Sequence, residues 1–223
     1  MLMKTLKLYI LSLLFIISLS SASAGVVMLD FGNADTANAT NISTNGGFTI
    51  DSVIANTGSN IASLSVGTET LSISFSGVTG VRDRQRKFTD ITTGEVLTPY
   101  FEDMIFSGDT LGITVSGMTI GNQYQFYFHA VDAEFTRDIP VTSLGNSGAP
   151  LSLGTVSYNI SPKPDISSFS DYQVNTGLYT ATGASETFSI TGATSNVNAL
   201  AAMTIVTIPE PSSMVLVVVA ASG

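Results

Sequence analysis

Cysteine and tryptophan are absent from the 223 residues, and histidine occurs once, as His129. Without thiols the chain has no disulfide staple, no cysteine nucleophile and no cysteine-ligated metal. Charge is scarce too, at 11% of residues against ~25% in an ordinary soluble domain. Ser, Thr, Asn and Gly fill the gap, and these residues favour turns and strand faces over helix interiors. No segment sustains a 3.6-residue apolar stripe, which excludes a helical bundle. Cations are the rarest charged class, at 8 Lys and Arg against 17 Asp and Glu. Setting aside Lys4 and Lys7 leaves 6 against 17, a balance of −11, and that excludes nucleic acid as a partner.

Those two lysines belong to an N-terminal leader. Met1 to Lys7 is basic, Leu8 to Leu19 is nearly all apolar, and Ser20-Ser21-Ala22-Ser23-Ala24 supplies the small residues that a signal peptidase accepts. Ala22 and Ala24 mark the cleavage site, giving a signal helix over 1–24 and a mature chain from Gly25.

From Gly25 onward the apolar period is two. Val27, Leu29 and Phe31 alternate, as do Leu71, Ile73 and Phe75, then Leu111, Ile113 and Val115, then Tyr124, Phe126 and Phe128. Such alternation turns one face of a strand to a core and the other to water. Strands are predicted over 26–31, 48–54, 70–77, 86–92, 101–106, 110–117, 123–131, 139–143, 151–158, 178–182, 185–191 and 199–207. Many short strands punctuated by Gly and Asn predict an all-β fold, a two-sheet antiparallel β-sandwich spanning 25–207 as one domain. A jelly-roll-like order and a fibronectin- or immunoglobulin-like order both fit this pattern.

Candidate chemistry is sparse. Alternation places Gln125, Tyr127 and His129 opposite Tyr124, Phe126 and Phe128, so His129 is expected to face solvent. Tyr127, His129, Asp132 and Phe135 then form a possible glycan platform, aromatic faces beside polar groups, although the commonest stacking residue is missing. A serine hydrolase would need His129 backed by Asp132, but no Gly-x-Ser-x-Gly elbow occurs. Glu102 and Asp103 are strand neighbours and point to opposite faces, so they cannot form a glycosidase pair. No catalytic residue and no cofactor are expected. Structural calcium stays open, through Asp30, Asn33 and Asp35 or through Asp132, Glu134 and Asp138, since hard oxygen donors suit that ion. Arg82-Asp83-Arg84-Gln85-Arg86-Lys87 holds four of the six mature cations and reads as a charged strand edge or a contact for anionic polysaccharide.

Two stretches carry resemblances. Ile208-Pro209-Glu210-Pro211-Ser212-Ser213, followed by the apolar Met214 to Ala221, resembles the C-terminal sorting signal of PEP-CTERM proteins, with Pro209, Glu210 and Pro211 as its signature. The resemblance implies an exported protein of a Gram-negative bacterium, handed by signal peptidase and then an exosortase to the cell surface or extracellular polysaccharide. Asp30-Phe31-Gly32 and the Asn198-Ala199-Leu200 strand are similar to the opening and close of jelly-roll ectodomains in that family, which implies that the first strand lies near the last. Met214 to Gly223 supplies about half of the ~20 apolar residues that a spanning helix needs. A truncated signal over 208–223, with a transient membrane anchor or none, is therefore expected. Val115 to Phe128 resembles the Gly-Leu-Thr-Pro-Gly-x-x-Tyr corner of fibronectin-type sandwiches. There Met118 would plug the core, Gly121 would turn the chain, and Tyr124 would fold its hydroxyl back on the turn.

The leading functional expectation is a non-enzymatic surface or matrix protein with structural or adhesive work. A carbohydrate-binding module is the alternative, and a secreted hydrolase the third reading.

Overall fold

Short alternating runs become strands here because one side of each can be buried. In β13 (Ser185–Ile190) Glu186, Phe188 and Ile190 are buried and the intervening residues are half-exposed. The same alternation recurs in β7 (Leu111–Ser116), its hydrogen-bonded neighbour, and in β4 (Glu69–Ser76), which pairs with β7 in turn. The computed structural model describes residues 24–32, 47–83, 103–130, 137–146, 152–158, 173–191 and 197–210, and no helix occurs among them. Of the predicted strands, 86–92 lies outside the described residues.

Three sheets make up the described body. One has the order β11-β8-β15-β1-β2, from Gln173–Asn175, Gln123–His129, Ala202–Ile208, Gly25–Phe31 and Ser52–Asn56, with β12 (Tyr179–Thr180) also on β8. A second runs β10-β9-β13-β7-β4-β3, adding Ser152–Tyr158, Arg137–Ser143 and Ile61–Val66 at its ends. The third is small, β14-β6-β5, from Asn198–Leu200, Asp103–Ser107 and Gly80–Asp83. The architecture is the expected all-β sandwich with two refinements: this extra sheet, and parallel pairing of β1 with β2. The parallel pair starts where Asp51 Oδ2 accepts the Val26 N–H at 2.8 Å and the Asp51 N–H donates to the Val26 carbonyl at 2.9 Å.

Among the described residues the first strand does pair with the last. Gly25 lies opposite Thr207 and the antiparallel ladder runs to Asp30 opposite Ala202. The core fills the space between the two large sheets. Phe188 of β13 sits 4.9 Å from the Phe126 ring and 4.8 Å from the Phe128 ring of β8, and all three are fully buried. Phe31 meets Phe75 edge-on at 5.5 Å, and Gly32 beside it leaves room for Asp103, whose Cβ would lie 2.0 Å from a Cβ on that glycine.

Where structure and pattern differ, the causes are local. β3 was absent from the predicted strands because its register shifts between Ile61 and Leu64, and that irregularity breaks the alternation. Residues 199–207 were predicted as one strand but form two, in different sheets. β14 pairs with β6, β15 pairs with β8 and β1, and Ala201 makes the crossing between them. The Ala201 N–H donates to the His129 carbonyl at 2.9 Å and its carbonyl accepts from the Phe31 N–H at 2.8 Å, so the crossing is pinned on both sides.

The larger correction concerns the first sheet, which was expected to show water one face. Val27, Leu29 and Phe31 enter the main core, while Val26 and Met28 join Tyr127, Ala202 and Val206 in a second cluster against Ile50 and Phe48. Near-continuous apolar runs such as Gly25–Phe31 and Ala202–Ile208 are the composition of strands covered on both sides. Replacing Phe188 with alanine removes the ring between Phe126 and Phe128. It is expected to cost about 3–5 kcal/mol of unfolding free energy by chemical denaturation.

Candidate functional site at the chain-entry pole

Gly25 and Thr207 are register partners, so β1 begins and β15 ends at one pole of the sandwich. Close backbone contact closes this pole. A Cβ on Gly25 would lie 2.1 Å from the Gly67 nitrogen, and Gly67 turns between β3 and β4 at φ +59. Only residues without a side chain allow that approach. The Thr207 hydroxyl donates to the Val66 carbonyl at 3.0 Å, tying the last strand of the first sheet to β3 of the second.

Beside it lies the corner between β7 and β8. Met118 is buried, Gly121 takes φ +98, and the Tyr124 hydroxyl accepts the Thr119 N–H at 2.7 Å. All three residues take the places that the fibronectin-type resemblance implies. Burial pushes the Tyr124 hydroxyl up to about 12, opposed by the Thr119 hydrogen bond and reinforced by the Glu69 carboxylate. That carboxylate, from the first residue of β4, gathers the corner: Oε2 accepts from the Thr119 hydroxyl at 2.9 Å and Oε1 accepts from the Asn122 amide. Glu69 is 7% exposed, so these donors take the place of water.

Asn122 then reaches the exiting chain. Its Oδ1 accepts the Glu210 N–H at 2.8 Å, and the Glu210 carboxylate lies over Gly121. Pro209 is half-exposed and Glu210 exposed, while Pro211 lies outside the described residues. Glu69 and Asn122 escaped sequence reading. One sat in an alternating strand and the other in a turn, and the two are 53 positions apart.

Two members of the expected glycan platform are not at the surface. Tyr127 and His129 have no exposed area, and the expectation that His129 faces solvent is corrected. The face they share with Gln125 is the one occupied by the second apolar cluster. Desolvation pushes the His129 imidazole down to about 3, so it is neutral across the physiological range. Asp132 and Phe135 lie outside the described residues, as do the signal peptidase position Ala22, Asn33, Asp35, Glu134 and the cations from Arg84 to Lys87. Ala24 is described and half-exposed, immediately before β1.

Of the calcium candidates, Asp30 is 2% exposed and Asp138 is exposed on β9. Among the described residues no group of three or more His, Cys, Asp or Glu is placed to hold a metal ion. Asp103 is buried against Gly32, and Arg82 is exposed with its guanidinium carbon 4.5 Å from the Phe106 ring centroid. Buried Glu186 braces the fold: it accepts from the Ser143 hydroxyl at 2.8 Å and the Gly145 N–H at 2.9 Å, closing the turn after β9.

Two outcomes are expected. Glu69→Ala removes the acceptor that Thr119 and Asn122 share and is expected to lose about 1 kcal/mol in urea unfolding. His129 is lowered in the folded state, so below the unfolded value of 6.5 the unfolded chain takes a proton that the folded chain refuses. Stability is therefore full above about pH 6.5 and falls by about 2 kcal/mol on reaching about pH 5, a slope that His129→Phe is expected to abolish in melting curves.

No family model matches the chain, and no curated protein matches it. Among solved structures it is similar to the ANX1 ectodomain from Arabidopsis thaliana, with 11% identity over 83% of this chain and 51% of that one, at a TM-score of 0.42. The plant receptor-like kinase FER gives 12% identity, 83% and 42% coverage and a TM-score of 0.36. The ANXUR2 extracellular domain from Arabidopsis thaliana gives 8% identity, 83% and 42% coverage and a TM-score of 0.39. The chain thus spans about half or less of each solved chain it resembles.

Proposed function

We propose that this is an exported, non-enzymatic protein of the cell surface or extracellular matrix of a Gram-negative bacterium. Signal peptidase trims it after Ala24, and an exosortase then recognises it at Pro209-Glu210-Pro211. Its work is structural or adhesive, with extracellular polysaccharide as the surrounding material.

The observation that supports this reading is the shared pole. The leader joins the body at Gly25 and the Pro-Glu-Pro segment leaves it after Ile208, on neighbouring strands of one ladder. A folded body with both address segments at one end can offer them to a single membrane without turning over.

Fractionation of a Gram-negative host carrying an exosortase tests the proposal. The expected species, by intact mass, begins at Gly25, has lost its apolar tail, and is found in the envelope or the medium. Recovery of the whole chain from the cytoplasm alone overturns it.

A further inference from the structure

Pro209-Glu210-Pro211 contains a single backbone N–H, that of Glu210, because a proline nitrogen carries none. The folded body takes it. Asn122 Oδ1 accepts that N–H at 2.8 Å, and Asn122 cannot turn its amide around, because its Nδ2 is committed to Glu69 Oε1. Glu69 is fixed in turn by the Thr119 hydroxyl. The exposed carboxylate of Glu210 lies over Gly121, where a Cβ would stand 3.1 Å from Oε1 and 3.2 Å from Cδ. With φ +98 at Gly121, that space is kept open by a residue that has no side chain to fill it. Ile208 is still paired with Gln123 in the β15–β8 ladder, so only Pro209 separates the last sheet pair from the clamped residue.

We infer that the Gly121–Asn122 turn, braced by Glu69, is a binding site for the chain's own Pro209-Glu210 and withholds that stretch from a peptidase until the clamp opens. Its consequence for processing rests on the reading of the tail as a sorting signal. A peptide captured as an added strand offers its main-chain groups to the captor. Here the one N–H of the tripeptide is already engaged, and no slack chain lies between it and the sheet. A peptidase approaching Glu210 therefore works on the fraction of molecules in which this end has opened locally. Losing one hydrogen bond of ordinary strength raises that fraction about fivefold.

Amide exchange at Glu210, followed by NMR on the purified protein, reads the clamp directly. The Glu210 N–H is expected to exchange about fivefold more slowly than in a free peptide of the same local sequence, and Asn122→Ala is expected to return it to the peptide rate. The substitution spares the backbone bonds from Asn122 N–H to the Thr119 carbonyl and from Ala181 N–H to the Asn122 carbonyl. Asn122→Ser, too short to span to Glu210, repeats the test if the alanine variant fails to fold. In the exosortase-bearing host the same variant is expected to lose its tail about fivefold faster.

Wild-type exchange at the free-peptide rate overturns the binding site and leaves the export proposal standing. Protected Glu210 with tail removal unchanged or slowed in the variant overturns the withholding role. A protected Glu210 in a chain that never leaves the cytoplasm supports the clamp and sinks the export proposal instead.

Discussion

The fold depends on the ladder between β1 and β15, which brings the start of β1 against the end of β15. Ordering strands so far apart in sequence is entropically expensive, and burial on both faces of this ladder offsets the cost. Val27 and Leu29 share the main core with Phe126, Phe128 and Phe188 on one side, and Val26 and Met28 cluster with Ile50 on the other. Backbone hydrogen bonds in such a strand have no water to compete with them. Every other feature of the pole follows from this placement, including the Thr207 bond to Val66 and the exit of Ile208 beside the Tyr124 corner.

Glu69 shows how a polar group is accommodated in such a structure. A buried carboxylate is costly unless its oxygens are occupied, and hydrogen bonds from Thr119 and Asn122 occupy them. The same arrangement orients Asn122 and so gives the exiting chain a fixed partner. Glu186 repeats the solution at the turn after β9, where Ser143 and Gly145 supply the donors. Each of these acids works as a local brace.

Much of the body was legible from periodicity. β4, β7, β8 and β13 alternate, and the Met118, Gly121 and Tyr124 corner follows from a short pattern whose spacing is set by one tight turn. Legibility failed where a strand changes register, as at Ile61 to Leu64, or changes sheet, as at Ala201, because neither event alters composition. It failed again for His129 and Tyr127. Alternation separates two faces of β8 but does not reveal that an apolar cluster covers the second one.

The sequence by itself determined the strand-rich class, the corner at Tyr124 and the two terminal segments with their distinctive composition, since each depends on residues close together in the chain. Only the tertiary structure decided that β1 begins and β15 ends at one pole, that β8, β15 and β1 are buried on both faces, and that Asn122 holds Glu210. Those outcomes rest on contacts between residues tens of positions apart, where packing and hydrogen-bond satisfaction choose the partner and local pattern carries no information about which partner that is.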